Sequence, residues 1–113
     1  MFSGAHMVIF SNDAEADRAL FHTLFPNNNV DAGHGWLIFK LPPAEIAVHP
    51  PHGDLRHELH LICDDIQETA TALNDLGFDT EPVEDMGYGL VSGFTLPGGS
   101  KLGFYQPRHA TAY

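Results

Sequence analysis

The sequence predicts an α+β fold made of two tandem β-α-β-β-β modules that form an open, barrel-like cleft. Three observations carry this. A short apolar strand, a capped amphipathic helix and further strands occur in that order twice along the chain. The two helix starts, Asp13 and Asp65, lie 52 residues apart, and this one offset aligns both first strands and both helices without a gap. Each helix can cover only one face of its sheet, so two sheet faces stay bare and must meet something. At 113 residues the chain is one domain, 1–113, with module 1 over about 4–50 and module 2 over about 56–107.

The first strand, 5–10 (AHMVIF), is followed by the cap-forming Ser11-Asn12-Asp13. A helix follows, placing Ala16, Leu20, Phe21, Leu24 and Phe25 on one face, and Pro26 with the Asn27-Asn28-Asn29 run stops it. A weak strand near 30, a clear one at 35–41, a Pro42-Pro43 turn and a strand at 44–49 complete the first half. The Pro-, Gly- and charge-rich 50–56 is a connection. Strand 57–63 (HELHLIC) then meets Asp64-Asp65, and Asp65 with Glu68 three residues on is a capping-box signature. That helix turns Ile66, Ala70, Leu73 and Leu76 inward and ends at Gly77. Strands follow at about 78–83, 89–96 and 101–106, the last two joined by a Pro97-Gly98-Gly99 hairpin turn.

The composition, 43% hydrophobic and 18% charged with no low-complexity tract, is that of a globular protein and excludes disordered and fibrous classes. Five Lys and Arg against fifteen Asp and Glu give a formal charge of −10, without a basic cluster to neutralise phosphates, so nucleic acid is not an expected partner. No apolar run approaches the ~20 residues needed to span a bilayer, and the N-terminus lacks the features of a signal peptide, so no membrane association and a cytoplasmic location are expected. The single Cys63 has no intramolecular partner and lies in an apolar run, which predicts a buried, inert thiol.

Strand parity selects the residues on the bare face. In 57–63 the apolar set Leu59, Leu61 and Cys63 faces the helix, which sends Glu58, His60 and Ile62 to the other side. The offset maps these onto His6, Val8 and Phe10, leaving Met7 and Ile9 against the first helix. Likewise Leu37, Phe39, Leu41, Ile46, Val48, Leu102 and Phe104 point inward. The polar and aromatic lining of the cleft is then His6, Trp36, Lys40, Glu45, His49, Glu58, His60, Lys101 and Tyr105. Imidazoles and carboxylates converging on a concave sheet suit a divalent metal, although mutual hydrogen bonds or solvent would also compensate them.

These residues resemble the vicinal oxygen chelate superfamily of glyoxalase I, bleomycin-resistance proteins and extradiol dioxygenases. The resemblance lies in strand-borne His6 seven residues before Asp13, the repeated module, the closing segment LPGGSKLGFYQP and its first-half counterpart LPPAEIAVHP, and it covers essentially the whole chain. It implies metal ligands on the first and last strand of each module: His6, Glu45, Glu58 and His60. Glu58 stands where the family more often has His, and Gly103 where its metal-binding Glu would be.

Two activities follow as expectations. The first is a divalent-metal-dependent enzyme (Fe, Mn, Zn or Ni), of the extradiol-dioxygenase or lyase/isomerase kind, acting on a small molecule with vicinal oxygens. Glu45 and Glu58 are its catalytic carboxylates, and Trp36, Tyr105 and His49 its substrate pocket. The alternative is a metal-free protein that sequesters an antibiotic-type small molecule. Either is expected to be a homodimer, with the modules pairing within or between chains.

Overall fold

The computed structural model describes residues 6–33, 37–48, 50 and 53–113. Its elements are α1 (Ala14–Leu24), β1 (Val30–Asp31), β2 (Leu37–Ile38), β3 (His60–Ile62), α2 (Ile66–Asp75), β4 (Glu84–Asp85), β5 (Gly89–Thr95) and β6 (Lys101–Pro107). The protein is thus mixed α+β, with two helices and two sheets among the described residues.

Both helices start where their caps predict. Asp13 accepts the Ala16 N–H, and Asp65 accepts those of Gln67 and Glu68, satisfying donors that the first helical turn leaves without partners. α2 ends in a Schellman motif: the N–H of Gly77 donates to the Asn74 carbonyl and that of Phe78 to Leu73, with Gly77 at φ 95°. Ile66, Ala70 and Leu73 are buried as expected. Leu76 is not, at 48% exposed: it is the C-cap, past the last helical turn, where the chain has already begun to swing off the core.

The second half forms a four-stranded sheet in the order β3-β6-β5-β4, with β3 parallel to β6 and the other pairs antiparallel. Leu102 and Phe104 of β6, Phe94 of β5 and the following Leu96 project to one side, where Ile66, Ala70, Leu73 and Leu20 of the helices meet them. The Phe94 ring lies between those of Phe78 and Phe104, tilted 58° and 53° to them. Each such fully buried side chain stabilises by about 1.5–3 kcal/mol relative to exposure. The strand expected over 78–83 is instead the short β4. Phe78 and Val83 pack against the core, and Pro82, lacking an N–H, cannot extend a ladder that has only the Glu81 N–H to Gly93 carbonyl bond at that end.

The first half departs from the expected plan. Its described residues form α1 and the two-residue pairing Val30↔Ile38, Asp31↔Leu37, with no strand over 6–10 or 44–48, and the two sheets do not close into a barrel. Leu37 and Phe39 do face α1, the Phe39 ring lying 6.0 Å from Phe21. Leu41, Ile46 and Val48, expected inward, are exposed, the last two at 92% and 91%. The reason is where α1 is docked. Its Leu20 completes the core of the second half, and its Asp17 carboxylate, itself buried, accepts the Gly98 N–H at 2.7 Å. Asn12 N–H to Gly98 carbonyl and Ser100 hydroxyl to Phe10 carbonyl complete the attachment. With the apolar face of α1 committed there, 44–48 has nothing to lie under, and Pro42 and Pro43 deny it donors at its start. Over 6–10 parity holds in part: Ile9 packs on the core and Val8 and Phe10 are exposed, but Met7, expected against the first helix, is half exposed, because the segment forms no strand here that would hold alternate residues to one face.

No helix among the described residues is long and apolar enough to cross a membrane.

Candidate functional site

Because both helices contribute to the core on one side of the four-stranded sheet, its other face is the place to look for chemistry. On β6 that face carries Lys101, Gly103 and Tyr105; on β3 it carries His60 and, before it, Glu58. Four side chains selected by strand parity therefore share a face as predicted, with Leu59, Leu61 and Cys63 packed against the core behind them.

His60 pairs in register with Gly103, and its ring lies flat over that glycine: a Cβ at position 103 would be 2.3 Å from Nδ1 and 2.7 Å from Cε1. The residue that replaces the carboxylate expected from the resemblance is thus what makes room for the imidazole. His60 Nε2 donates to Glu58 Oε2 at 3.0 Å, and Arg56 Nε donates to Glu58 Oε1 at 2.7 Å. The His60 hydrogen bond first, and then that of Arg56, hold the Glu58 carboxyl below its ordinary range. His60 Nδ1 is buried without a hydrogen-bond partner among the described residues, sealed against the Gly103 backbone, so the ring turns only its Nε2 edge, bonded to Glu58, towards the open side.

Further along β6, Lys101 forms an ion pair with Glu81 at 2.9 Å. Tyr105 stands edge-on to Tyr88, with ring centroids 6.0 Å apart, and its hydroxyl lies 2.5 Å from His109 Nε2. Burial, and then the proximity of Tyr88 and Glu45, push the Tyr105 phenol up. The C-terminal tail that carries His109 is clasped to the β4–β5 turn. The Arg108 N–H donates to the Tyr88 carbonyl, and its guanidinium grips both oxygens of Asp85, pulling that carboxyl down to about 2. Glu45 reaches the same tail, accepting the Ala112 N–H at 2.7 Å.

Of the four expected metal ligands, Glu58 and His60 meet each other, whereas His6 is exposed and Glu45 is engaged with the tail. Among the described residues no three His, Cys, Asp or Glu side chains are placed to hold a metal together, and two ligands are fewer than a protein metal site requires. Among the described residues this set does not complete a metal site. Trp36 and His49 lie outside the described residues. Cys63 is half-buried; burial pushes its thiol up, in keeping with an unreactive role.

Glu81, Tyr88 and His109 belong to this face and were not legible in the sequence. Glu81 falls in the strand expected over 78–83, whose residues were not sorted by face, Tyr88 lies outside the expected strands, where parity says nothing, and His109 returns to Tyr105 only through the fold of the tail. Comparison with protein-family models, with curated proteins and with solved structures finds no match for this chain.

Proposed function

We propose that the protein binds a small organic molecule on the open face of the four-stranded sheet, as a protein of the glyoxalase, bleomycin-resistance and dioxygenase kind. One observation carries the reading: Glu58, His60, Lys101, Tyr105, Tyr88 and His109 stand on a sheet face that lies away from both helices and offers polar groups beside aromatic rings. Ligand contacts are made directly, by the Tyr105 hydroxyl and the Lys101 ammonium, with the His60–Glu58 pair beside them.

The metal-dependent enzyme is the second reading, and the Glu58–His60 pair favours it, since both are ligand types on one face. It requires at least one ligand from outside the described residues of the chain. The test is a screen of aromatic, cationic and vicinal-oxygen compounds by calorimetry with and without EDTA, beside thermal melts with Fe(II), Mn(II), Zn(II) and Ni(II). Binding undiminished by EDTA, and weakened in Tyr105→Phe and His60→Ala, supports direct recognition. A metal-selective rise in Tm that His60→Ala abolishes supports the enzyme instead. No binding by any compound, with or without metal, overturns both.

A second copy of the chain is the partner we propose for the exposed apolar side chains of the first half. Phe10, Ile46, Val48 and Leu55 are each more than four-fifths exposed, and Phe10, Ile46 and Val48 lie on segments whose sequences read as strands but that have no strand partner among the described residues. An isologous pairing sets these segments against their own counterparts. Sedimentation equilibrium of the wild type and of Ile46→Asp tests it: a dimer that the substitution dissociates is expected, and a wild-type monomer refutes it.

A further inference from the structure

We propose that Tyr105 and His109 form a proton relay on the open face, in which a ligand hydroxyl gives its proton to Tyr105 as the Tyr105 proton passes to His109. The proposal rests on the reading of that face as a small-molecule site.

The direction of two hydrogen bonds sets up the relay. His109 Nδ1 lies 2.8 Å from the carbonyl oxygen of Ala110, which can only accept, so Nδ1 carries the proton and donates it. Nε2 is left with its lone pair, and the Tyr105 hydroxyl, 2.5 Å from it against 3.5 Å from its other acceptor, the Tyr88 carbonyl, donates to it. The arrangement is that of an activated hydroxyl: an oxygen, a base within hydrogen-bond reach, and a third group orienting the base. Having turned its proton towards His109, the Tyr105 oxygen keeps its lone pairs for a donor on the ligand.

The step moves two protons one place each. The ligand O–H bond breaks and a new O–H bond forms at Tyr105, while the former Tyr105 proton bonds to Nε2. Tyr105 begins and ends as a neutral phenol, the negative charge resides on the ligand oxygen, and the positive charge on the imidazole. No electron pair is transferred between heavy atoms, so no co-reactant is needed. A phenol pushed above its ordinary range by burial suits a residue that passes a proton on without standing as phenolate. The imidazolium forms at an exposed position, on a tail where Glu45 places its carboxylate against Ala112.

His109 is held for this. The residue before it is anchored through its main chain to Tyr88 and through its guanidinium to Asp85, and Ala112 is anchored to Glu45. The tail is therefore pinned on both sides of the imidazole.

Nitrocatechol, a chromogenic vicinal diol whose absorbance reports its ionisation, tests the relay on the full-length chain. At a pH where the free dye is protonated, the wild type is expected to raise the ionised-to-neutral ratio of bound dye roughly tenfold, equivalent to one pH unit. Tyr105→Phe and His109→Gln should bind the dye and leave its free-solution spectrum. Wild-type binding of un-ionised dye, or ionisation that survives in either variant, overturns the relay and leaves the small-molecule reading standing. Failure of the wild type to bind the dye overturns the relay for hydroxylated ligands, whatever else the face takes. Independently of any variant, nitrogen-15 NMR should find His109 protonated at Nδ1 and bare at Nε2, and the opposite tautomer overturns the proposal.

Discussion

Replacing Gly103 with alanine tests whether the His60 imidazole is seated by the absence of a side chain on β6. The new Cβ would lie 2.3 Å from Nδ1, so the ring has to retreat about 1 Å to reach the 3.4 Å of ordinary contact. The 3.0 Å bond from Nε2 to Glu58 cannot follow that movement, because Arg56 holds the other Glu58 oxygen at 2.7 Å. Overpacking typically costs about 1–3 kcal/mol, and the ring is one-third exposed and free to swing outward, so the lower end, about 1 kcal/mol, is expected. In a chain of this size that lowers Tm by about 4 °C. Since the His60 bond is the largest influence lowering the Glu58 carboxyl, the substitution should return Glu58 towards its ordinary value of 4.5. The sign follows: with a lowered folded-state pKa, the stability from Glu58 is present above pH 4.5 and is lost as pH falls through the folded value. Glu58 is half exposed, so solvent screening keeps that part small beside the steric cost. Urea melts give the stability, and a carbon-13 titration of the Glu58 carboxyl gives the pKa. A folded Gly103→Ala protein with unchanged Glu58 titration refutes the reasoning. So does an equal loss in the His60→Ala background, where the three atoms nearest the added methyl are gone.

Gly98→Ala places a Cβ 1.8 Å from Ser11 Oγ and 2.6 Å from Asp17 Oδ2, against atoms that attach α1 to the sheet. A loss of about 3 kcal/mol is expected in denaturant melts, at the upper end for overpacking, with partial recovery on adding Ser11→Gly. Asp65→Ala removes the acceptor for two N–H groups at the start of α2 and should cost about 1 kcal/mol in the same assay. Arg108→Ala should raise the Asp85 carboxyl from about 2 towards 3.8, read by NMR titration. Any stabilisation from this clasp is present above pH 3.8 and lost as pH falls through about 2, so the variant should lack that part of the acid response. The same variant should also loosen His109 from Tyr105, seen as loss of the Tyr88 and His109 ring-current shifts on Tyr105.

The second half was legible because each of its signals is local and each is reinforced by burial. Asp65 and Gly77 mark α2 through backbone donors and a left-handed turn that any context requires. The alternation in HELHLIC and KLGFYQ set the two faces because one of them lies under α2. The first half carries equally good alternation in AEIAVH, yet Ile46 and Val48 are exposed. Alternation says only which residues would share a face. It does not supply the neighbouring strand or the covering helix.

The sequence by itself determined the positions of both helices, the order of elements after residue 57 and the sidedness of Glu58, His60, Lys101 and Tyr105. Caps and parity act over three or four residues and need no knowledge of distant partners. Only the tertiary structure decided that α1 completes the core of the second half, that Gly103 seats His60, and that the tail brings His109 to Tyr105. Each of these depends on groups far apart in the chain meeting in space, and the free energy of such contacts depends on which surfaces are left for one another after the strongest packing has been satisfied.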